Sequence, residues 1–281
     1  MLQYRMGPSR MGLTVTSREM AAPELSAMAV SKCFGGVRAV DDITFTVQKG
    51  EIVSLIGPNG AGKTSLLNMI SGFFRPDSGS ILLDDLNITR RRPSEIARLG
   101  IARTFQNIAL FSGLTVLENI LLGRHVLMHA GLLASLVFWG TARDEQVAHR
   151  ERAEEIIEFL KLDDVRKQPI GALPYGLRKR VELGRALALE PKVLLLDEPM
   201  GGMNQEEKED IARFILDINS EWDTTIILIE HDMAVVMDIS DRVAVLDHGR
   251  KIAEGSPKEV QHHPAVLTAY LGRETTTNGG K

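Results

Sequence analysis

Apolar and polar residues alternate over Ile43-Thr44-Phe45-Thr46-Val47, the signature of a half-buried strand, and Gly50 ends the pattern. The mostly apolar run Ile52-Val53-Ser54-Leu55-Ile56 predicts a buried strand. A glycine-rich loop follows, and Thr64–Ile70 reads as a helix closed by Gly72. Ser78-Gly79-Ser80 opens a further strand, Ile81-Leu82-Leu83, which turns at Asp84-Asp85. With the β-like runs that begin at Leu25, the opening third predicts antiparallel strands mixed with one strand–loop–helix unit.

The texture then changes. From about Ile108 to Ile170 helical spacing dominates: an apolar stretch at Leu132–Trp139 precedes the charged run Ala142–Glu158, and Ala153, Ile156, Ile157 and Leu160 recur on one helical face. The charges of this run are read as a solvated helix face. After Pro191, Val193–Leu196 predicts a buried strand ending in Asp197-Glu198, and a helix is expected over Glu206–Ser220. Thr225–Ile229 predicts another buried strand, ending at Glu230-His231-Asp232. Val243–Leu246 and Lys251–Ala253 flank Asp247-His248-Gly249-Arg250 as the arms of a hairpin. Buried strands alternating with helices imply an α/β fold with a mostly parallel sheet, joined by an antiparallel β subdomain and a helical subdomain at about residues 108–180. Residues 1–24 are expected to be a flexible extension, 25–272 the folded domain and 273–281 a loose polar tail.

Composition narrows the function classes. The 281 residues carry 33 basic and 37 acidic side chains, a net charge of −4, without the basic footprint of a nucleic-acid binder. Cys33 is the one cysteine, so no disulfide forms within the chain and a reducing cytosol is expected. The longest apolar stretch, Ala130–Trp139, is about half the length a membrane-spanning helix needs. Arg5, Arg10 and Arg18 give the N-terminal segment a faint transit-peptide character; it is read as a loose extension, with Met20 and Met28 as alternative starts.

The chemistry concentrates at Gly57-Pro58-Asn59-Gly60-Ala61-Gly62-Lys63-Thr64, a complete G-x-x-x-x-G-K-[ST] pattern between a predicted strand and a predicted helix. The glycines let backbone N–H groups turn inward around a polyphosphate, and the helix N-terminus adds partial positive charge. Lys63 is placed on the β- and γ-phosphates and the Thr64 hydroxyl on Mg²⁺, with Ser65 completing the phosphate-binding set. Asp197, at the carboxyl end of a strand, is expected to hold Mg²⁺ through water, and Glu198 to act as general base on the attacking water. His231, also at a strand end, is expected to bond a phosphate oxygen or orient that water. Phe34, before Gly35-Gly36, could stack on a base, although its spacing alone suits a core residue.

The order of these residues resembles the ATP-binding subunits of ABC transporters over roughly Leu25 to Gly272. Phe34 falls in the place of the adenine-stacking aromatic, Gln106 in that of the Q-loop, and Leu173-Pro174-Tyr175-Gly176-Leu177 in that of the signature. Val193–Glu198 matches Walker B, Gly201-Gly202-Met203-Asn204 the D-loop, and His231 the switch histidine. Phe34–Val40, Arg103–Asn107, the insert after Gly123-Arg124-His125 and Ala253-Glu254-Gly255-Ser256-Pro257 resemble the branched-chain amino-acid branch. The signature departs from Leu-Ser-Gly-Gly-Gln: Pro174 replaces the serine, Tyr175 the first glycine and Leu177 the glutamine, while Gly176 remains; Asn204 replaces the D-loop aspartate.

The resemblance implies a mechanism and a setting. Two ATPase subunits, identical or related, would sandwich two ATP molecules, each between the P-loop of one and the signature segment, with Gly176, of the other. Gln106 would join Thr64 and Asp197 around Mg²⁺. Two membrane permease subunits and, indirectly, a periplasmic or extracellular solute-binding protein would complete an importer on the cytoplasmic face of the cell membrane. Branched-chain or related amino acids are the expected cargo. The alternatives are another small solute such as an amide or urea-like compound, a soluble non-transport ABC ATPase, and a small-molecule kinase.

Overall fold

The computed structural model describes residues 24–105, 109–127 and 141–271. Strands β1 (Leu25–Phe34), β2 (Val37–Val47) and β3 (Ile52–Ile56) precede helix α1 (Lys63–Ile70). Then come β4 (Ser78–Leu83), β5 (Leu86–Asn87), α2 (Pro93–Arg98), β6 (Ile101–Arg103), α3 (Val116–Arg124), α4 (Thr141–Phe159) and α5 (Tyr175–Leu187). The last part runs β7 (Val193–Asp197), α6 (Gln205–Trp222), β8 (Thr225–Ile229), α7 (Met233–Ile239), β9 (Arg242–Asp247), β10 (Arg250–Gly255), α8 (Pro257–Gln261) and α9 (Pro264–Leu271).

Two sheets result. The order β2-β1-β4-β5 is antiparallel throughout. The order β10-β9-β3-β8-β7-β6 is parallel except for the β9–β10 hairpin. In that hairpin His248 and Gly249 both take positive φ, the geometry of a turn whose twist matches its strands. The α/β class, with a mostly parallel sheet, an antiparallel sheet and helices, agrees with the expectation.

The central strands are mostly apolar because both their faces are covered. Leu194 and Leu196 of β7, with Ile226 and Leu228 of β8, point into a core shared with α3–α6. Val193 and Leu195, with Ile227 and Ile229, point the other way, toward α1 and the antiparallel sheet. A third core under β9 joins Ile56 and Val245 to Val236 of α7, Val260 of α8 and Val266 of α9. Ala153, Ile156, Ile157 and Leu160 are fully buried in the first core, as the helical spacing predicts. Ile156, Ile157 and Leu160 each contribute about 2 kcal/mol by leaving water.

Some element bounds differ from the sequence reading, for local reasons. β1 runs ten residues as one strand, although Met28 and Ala29 interrupt the alternation; the register against β2 shifts there, and Ala29 and Asp42 take positive φ. α5 begins at Tyr175, directly after Pro174, which serves as its N-cap without a side-chain cap bond. α6 starts at Gln205, capped by Asn204, whose side chain accepts the Glu207 N–H while Glu207 bonds back to the Asn204 N–H. Gln106, the stretch Ala130–Trp139, residues 1–23 and the tail from 272 lie outside the described residues. Among the described residues no helix is long and apolar enough to cross a membrane.

Candidate nucleotide site

The sheet order brings three chain-distant loops together. β8 lies between β3 and β7, all parallel, so the loops at their carboxyl ends are neighbours. The loop after β3 holds Gly57 to Gly62, the end of β7 holds Asp197 and Glu198, and the end of β8 leads into Glu230 and His231.

The first loop is tightly specified. Gly57 has φ +145°, and a Cβ there would lie 2.1 Å from the Leu246 carbonyl oxygen, so no other residue fits. The Ala61 N–H closes the turn onto the Pro58 carbonyl at 3.1 Å, with Asn59 and Gly60 between them, and the Gly249 N–H holds the Ala61 carbonyl at 3.0 Å. Gly62 caps α1 in the left-handed region with no side-chain cap bond, which leaves the first-turn N–H groups of Lys63, Thr64 and Ser65 for an anion. Lys63 folds back over this loop. Its Nζ donates to the carbonyls of Gly57 (2.6 Å) and Pro58 (3.1 Å). Burial pulls its pKa below the usual lysine range, against the opposing pull of Glu198 and then Asp197. The ammonium therefore lies within electrostatic reach of both acids, and a triphosphate would add charge of the same sign as theirs.

Asp197 ends β7 fully buried. Its Oδ2 accepts from Nη2 of Arg103 at 2.9 Å, whereas Oδ1 is buried without a hydrogen-bond partner. That orphaned carboxylate oxygen is a hard donor of the kind Mg²⁺ takes, an ion that uses few protein ligands and keeps several waters. Among the described residues no cluster of three or more His, Cys, Asp or Glu could hold a metal unaided. Glu198 takes φ +51°, and its N–H donates to the Ile229 carbonyl at 2.9 Å, which turns the side chain away from the strand line. Its Oε1 lies 2.9 Å from Nε2 of His231.

Sequence reasoning missed the group that sets this pair. Glu230 is buried, and its two carboxylate oxygens each accept one backbone N–H: Oε1 from Met200 at 2.8 Å and Oε2 from His231 at 3.0 Å. Lys208 of α6 adds an ion pair to Asp232 at 2.8 Å. The loops carrying Glu198 and His231 are thus stapled to each other. An acid at the end of an apolar run, beside a histidine, was the visible signal; its burial and its two partners were not.

The remaining predicted residues lie in two other places. Phe34 is exposed rather than core, set edge-on to Phe74 with ring centroids 5.0 Å apart and with Nζ of Lys32 5.6 Å from its ring centre. Gly176, in the first turn of α5, packs so closely on α6 that a Cβ would lie 2.1 Å from Oε1 of Glu207. Tyr175 covers Gly202 in the same way. The signature and D-loop segments of one chain therefore form a single packed unit.

A phosphate cradle, a lysine over it and two strand-end acids on one edge of a parallel sheet define a P-loop nucleotide hydrolase. Residues 40–201 match the family model described as ABC transporter, and residues 250–275 match that of the branched-chain amino acid ATP-binding cassette transporter. The chain is 39% identical over 253 residues to the high-affinity branched-chain amino acid transport ATP-binding protein LivG of Escherichia coli, covering 90% of this chain and 99% of that one. It is 38% identical, with coverage of 90% and 99%, to BraF of Pseudomonas aeruginosa, which bears the same description. Among solved structures, the ADP conformation of an ATP-binding cassette from an ABC transporter matches with TM-score 0.77 and 34% identity over 90% of this chain and all of that one. A dimeric post-hydrolysis cassette bound to ADP and Pi matches with TM-score 0.70 and 26% identity over 83% and 98%. The chain belongs to the ATP-binding subunits of ABC transporters, with its likeness in the branched-chain amino-acid branch, and it is an ATPase.

The Glu230 staple makes a checkable difference. Glu230→Gln offers one acceptor oxygen where two N–H groups need two, a loss of about 1.5–3 kcal/mol for a bond to a charged group. Phosphate release is expected to slow roughly tenfold while ATP affinity, read by calorimetry, is unchanged. Unchanged turnover would remove Glu230 from the positioning of His231.

Proposed function

We propose that this chain is the ATP-hydrolysing subunit of an ABC importer that energises uptake of branched-chain or related amino acids. It works from the cytoplasmic face of the cell membrane with a second ATPase subunit, two permease subunits and, indirectly, a solute-binding protein. The observation that carries the reading is the meeting of Lys63, Asp197 and the Glu198–His231 pair around the loop Gly57–Gly62.

The chain's own groups divide the work. N–H groups of the loop and of the first turn of α1 bind the phosphates, and Lys63 offsets their charge. Thr64 and Asp197 would hold Mg²⁺, joined by Gln106 as the resemblance implies; when bound, the ion neutralises charge on the β- and γ-phosphate oxygens. Phe34 offers a ring to the adenine. Glu198 takes a proton from water as the water oxygen bonds to the γ-phosphorus, and the bond to the ADP oxygen breaks. His231 bonds Glu198 before nucleotide arrives and turns to the γ-phosphate when it is present. Gly176 of a second subunit closes the site from the other side. Binding to the closed pair is then favoured over the open one, which is how ATP shifts the membrane subunits.

Affinity capture of the tagged chain from native membranes tests this reading. The expected companions are a related ATPase and two permeases, with vesicles of the complex releasing phosphate in step with amino-acid uptake. Capture of soluble partners alone, or of a phosphorylated small acceptor, would replace importer by one of the other P-loop readings.

A further inference from the structure

Arg103 has no role in the reaction as described above, yet its side chain lies against the metal carboxylate. It ends β6, the edge strand that pairs with β7 through Arg103 and Leu195. Its guanidinium and the Asp197 carboxylate are both nearly inaccessible, with side chains 6% and 1% exposed. Nη2 reaches Oδ2 of Asp197 at 2.9 Å. Nη1 donates to Oδ1 of Asn68 (2.6 Å) and Oγ of Ser71 (3.1 Å), both on or just after α1. The guanidinium also lies 5.3 Å from the ring centre of Phe105, whose ring meets Phe73 edge-on at 5.5 Å. The side chain is thus clamped from three directions, and it occupies one oxygen of Asp197 while leaving the other bare.

Two consequences follow from charge and geometry. A carboxylate this buried needs a resident cation, and arginine is charged at every working pH. The same cation repels a divalent ion approaching the other oxygen of Asp197. We infer that Arg103 is a positioning residue that holds Asp197 by one oxygen and lowers its affinity for Mg²⁺, so that Mg²⁺ enters only together with nucleotide phosphate. The phosphates then supply the negative charge that outweighs Arg103. Through Phe105, the strand that ends in Arg103 also leads directly to Gln106, so a shift of that strand would move the metal carboxylate. The inference rests on the proposed ATPase site.

The test is a binding measurement on the full chain. ADP affinity is read by calorimetry in EDTA and again at saturating Mg²⁺, and the ratio is the Mg²⁺-dependent gain. Arg103→Met removes the charge, so Mg²⁺ binds the nucleotide-free chain as well, and the gain is expected to fall by about fivefold or more, with slower phosphate release. Arg103→Lys keeps the charge and is expected to keep the gain within about twofold of the parent. A merely structural role would weaken ADP binding equally in both conditions and leave the gain unmoved. An unchanged or larger gain in Arg103→Met overturns the inference, and if that variant does not fold, a gain in Arg103→Lys outside the twofold window overturns it. An absence of ADP binding in the parent chain would instead overturn the nucleotide site itself, a separate result.

Discussion

Glu198→Gln is expected to cut phosphate release by about a hundredfold or more while ATP still binds, because a positioned general base contributes 10²–10⁴. The amide preserves the size of the side chain and its reach to Nε2 of His231, 2.9 Å away in the parent. It cannot accept the proton of the attacking water. ATP then persists in the site, and a subunit pair that closes on ATP stays closed. Size exclusion in ATP should show a dimer that reverts to monomer on nucleotide removal, alongside near-zero phosphate release. Turnover within tenfold of the parent would take Glu198 out of the base role and move attention to His231.

Lys63→Met acts earlier, on binding. The ammonium is 6% exposed and bonded to the carbonyls of Gly57 and Pro58, so its charge is held over the phosphate loop without further ordering. Burial alone weakens the protonated form, and the nearby Glu198 and Asp197 carboxylates counter this. Nucleotide phosphates would strengthen that counter-effect. Removing one member of a buried charge pair costs about 2–5 kcal/mol, so ATP affinity is expected to fall at least roughly thirtyfold. Methionine fills most of the same volume, so the thermal midpoint without nucleotide should stay near the parent's. Calorimetry with ATP and a melting scan without it check both halves. Normal affinity in this variant would mean that the loop Gly57–Gly62 is not the triphosphate site.

Much of this was legible because the signals are local. A strand, a glycine-rich loop and a helix form one contiguous unit, so Gly57–Thr64 could be read without knowing the fold. Hydrophobic spacing likewise placed Ala153, Ile156, Ile157 and Leu160 on one buried face. The ambiguous residues were those whose role depends on a neighbour. Phe34 suited both a core and a stacking role by spacing, and it lies exposed beside Phe74. Pro174 ends the approach to α5, yet only the folded chain shows Gly176 pressed against Glu207 and Tyr175 over Gly202. Arg103 stood in a family-like stretch with no chemistry attached, because its partner Asp197 is 94 positions away.

By itself the sequence determined the local elements, the phosphate loop and the acids that end the apolar runs, since each depends on residues a few positions apart. Tertiary structure alone decided that β8 separates β3 from β7, that Glu230 joins the His231 and Met200 backbones, and that Arg103 claims one oxygen of Asp197. The physical reason is that strands apolar on both faces carry no mark of their neighbour. Their order is set by how α3–α6 on one face and α1 with the antiparallel sheet on the other pack over the sheet, and the charged contacts at its carboxyl edge follow from that order.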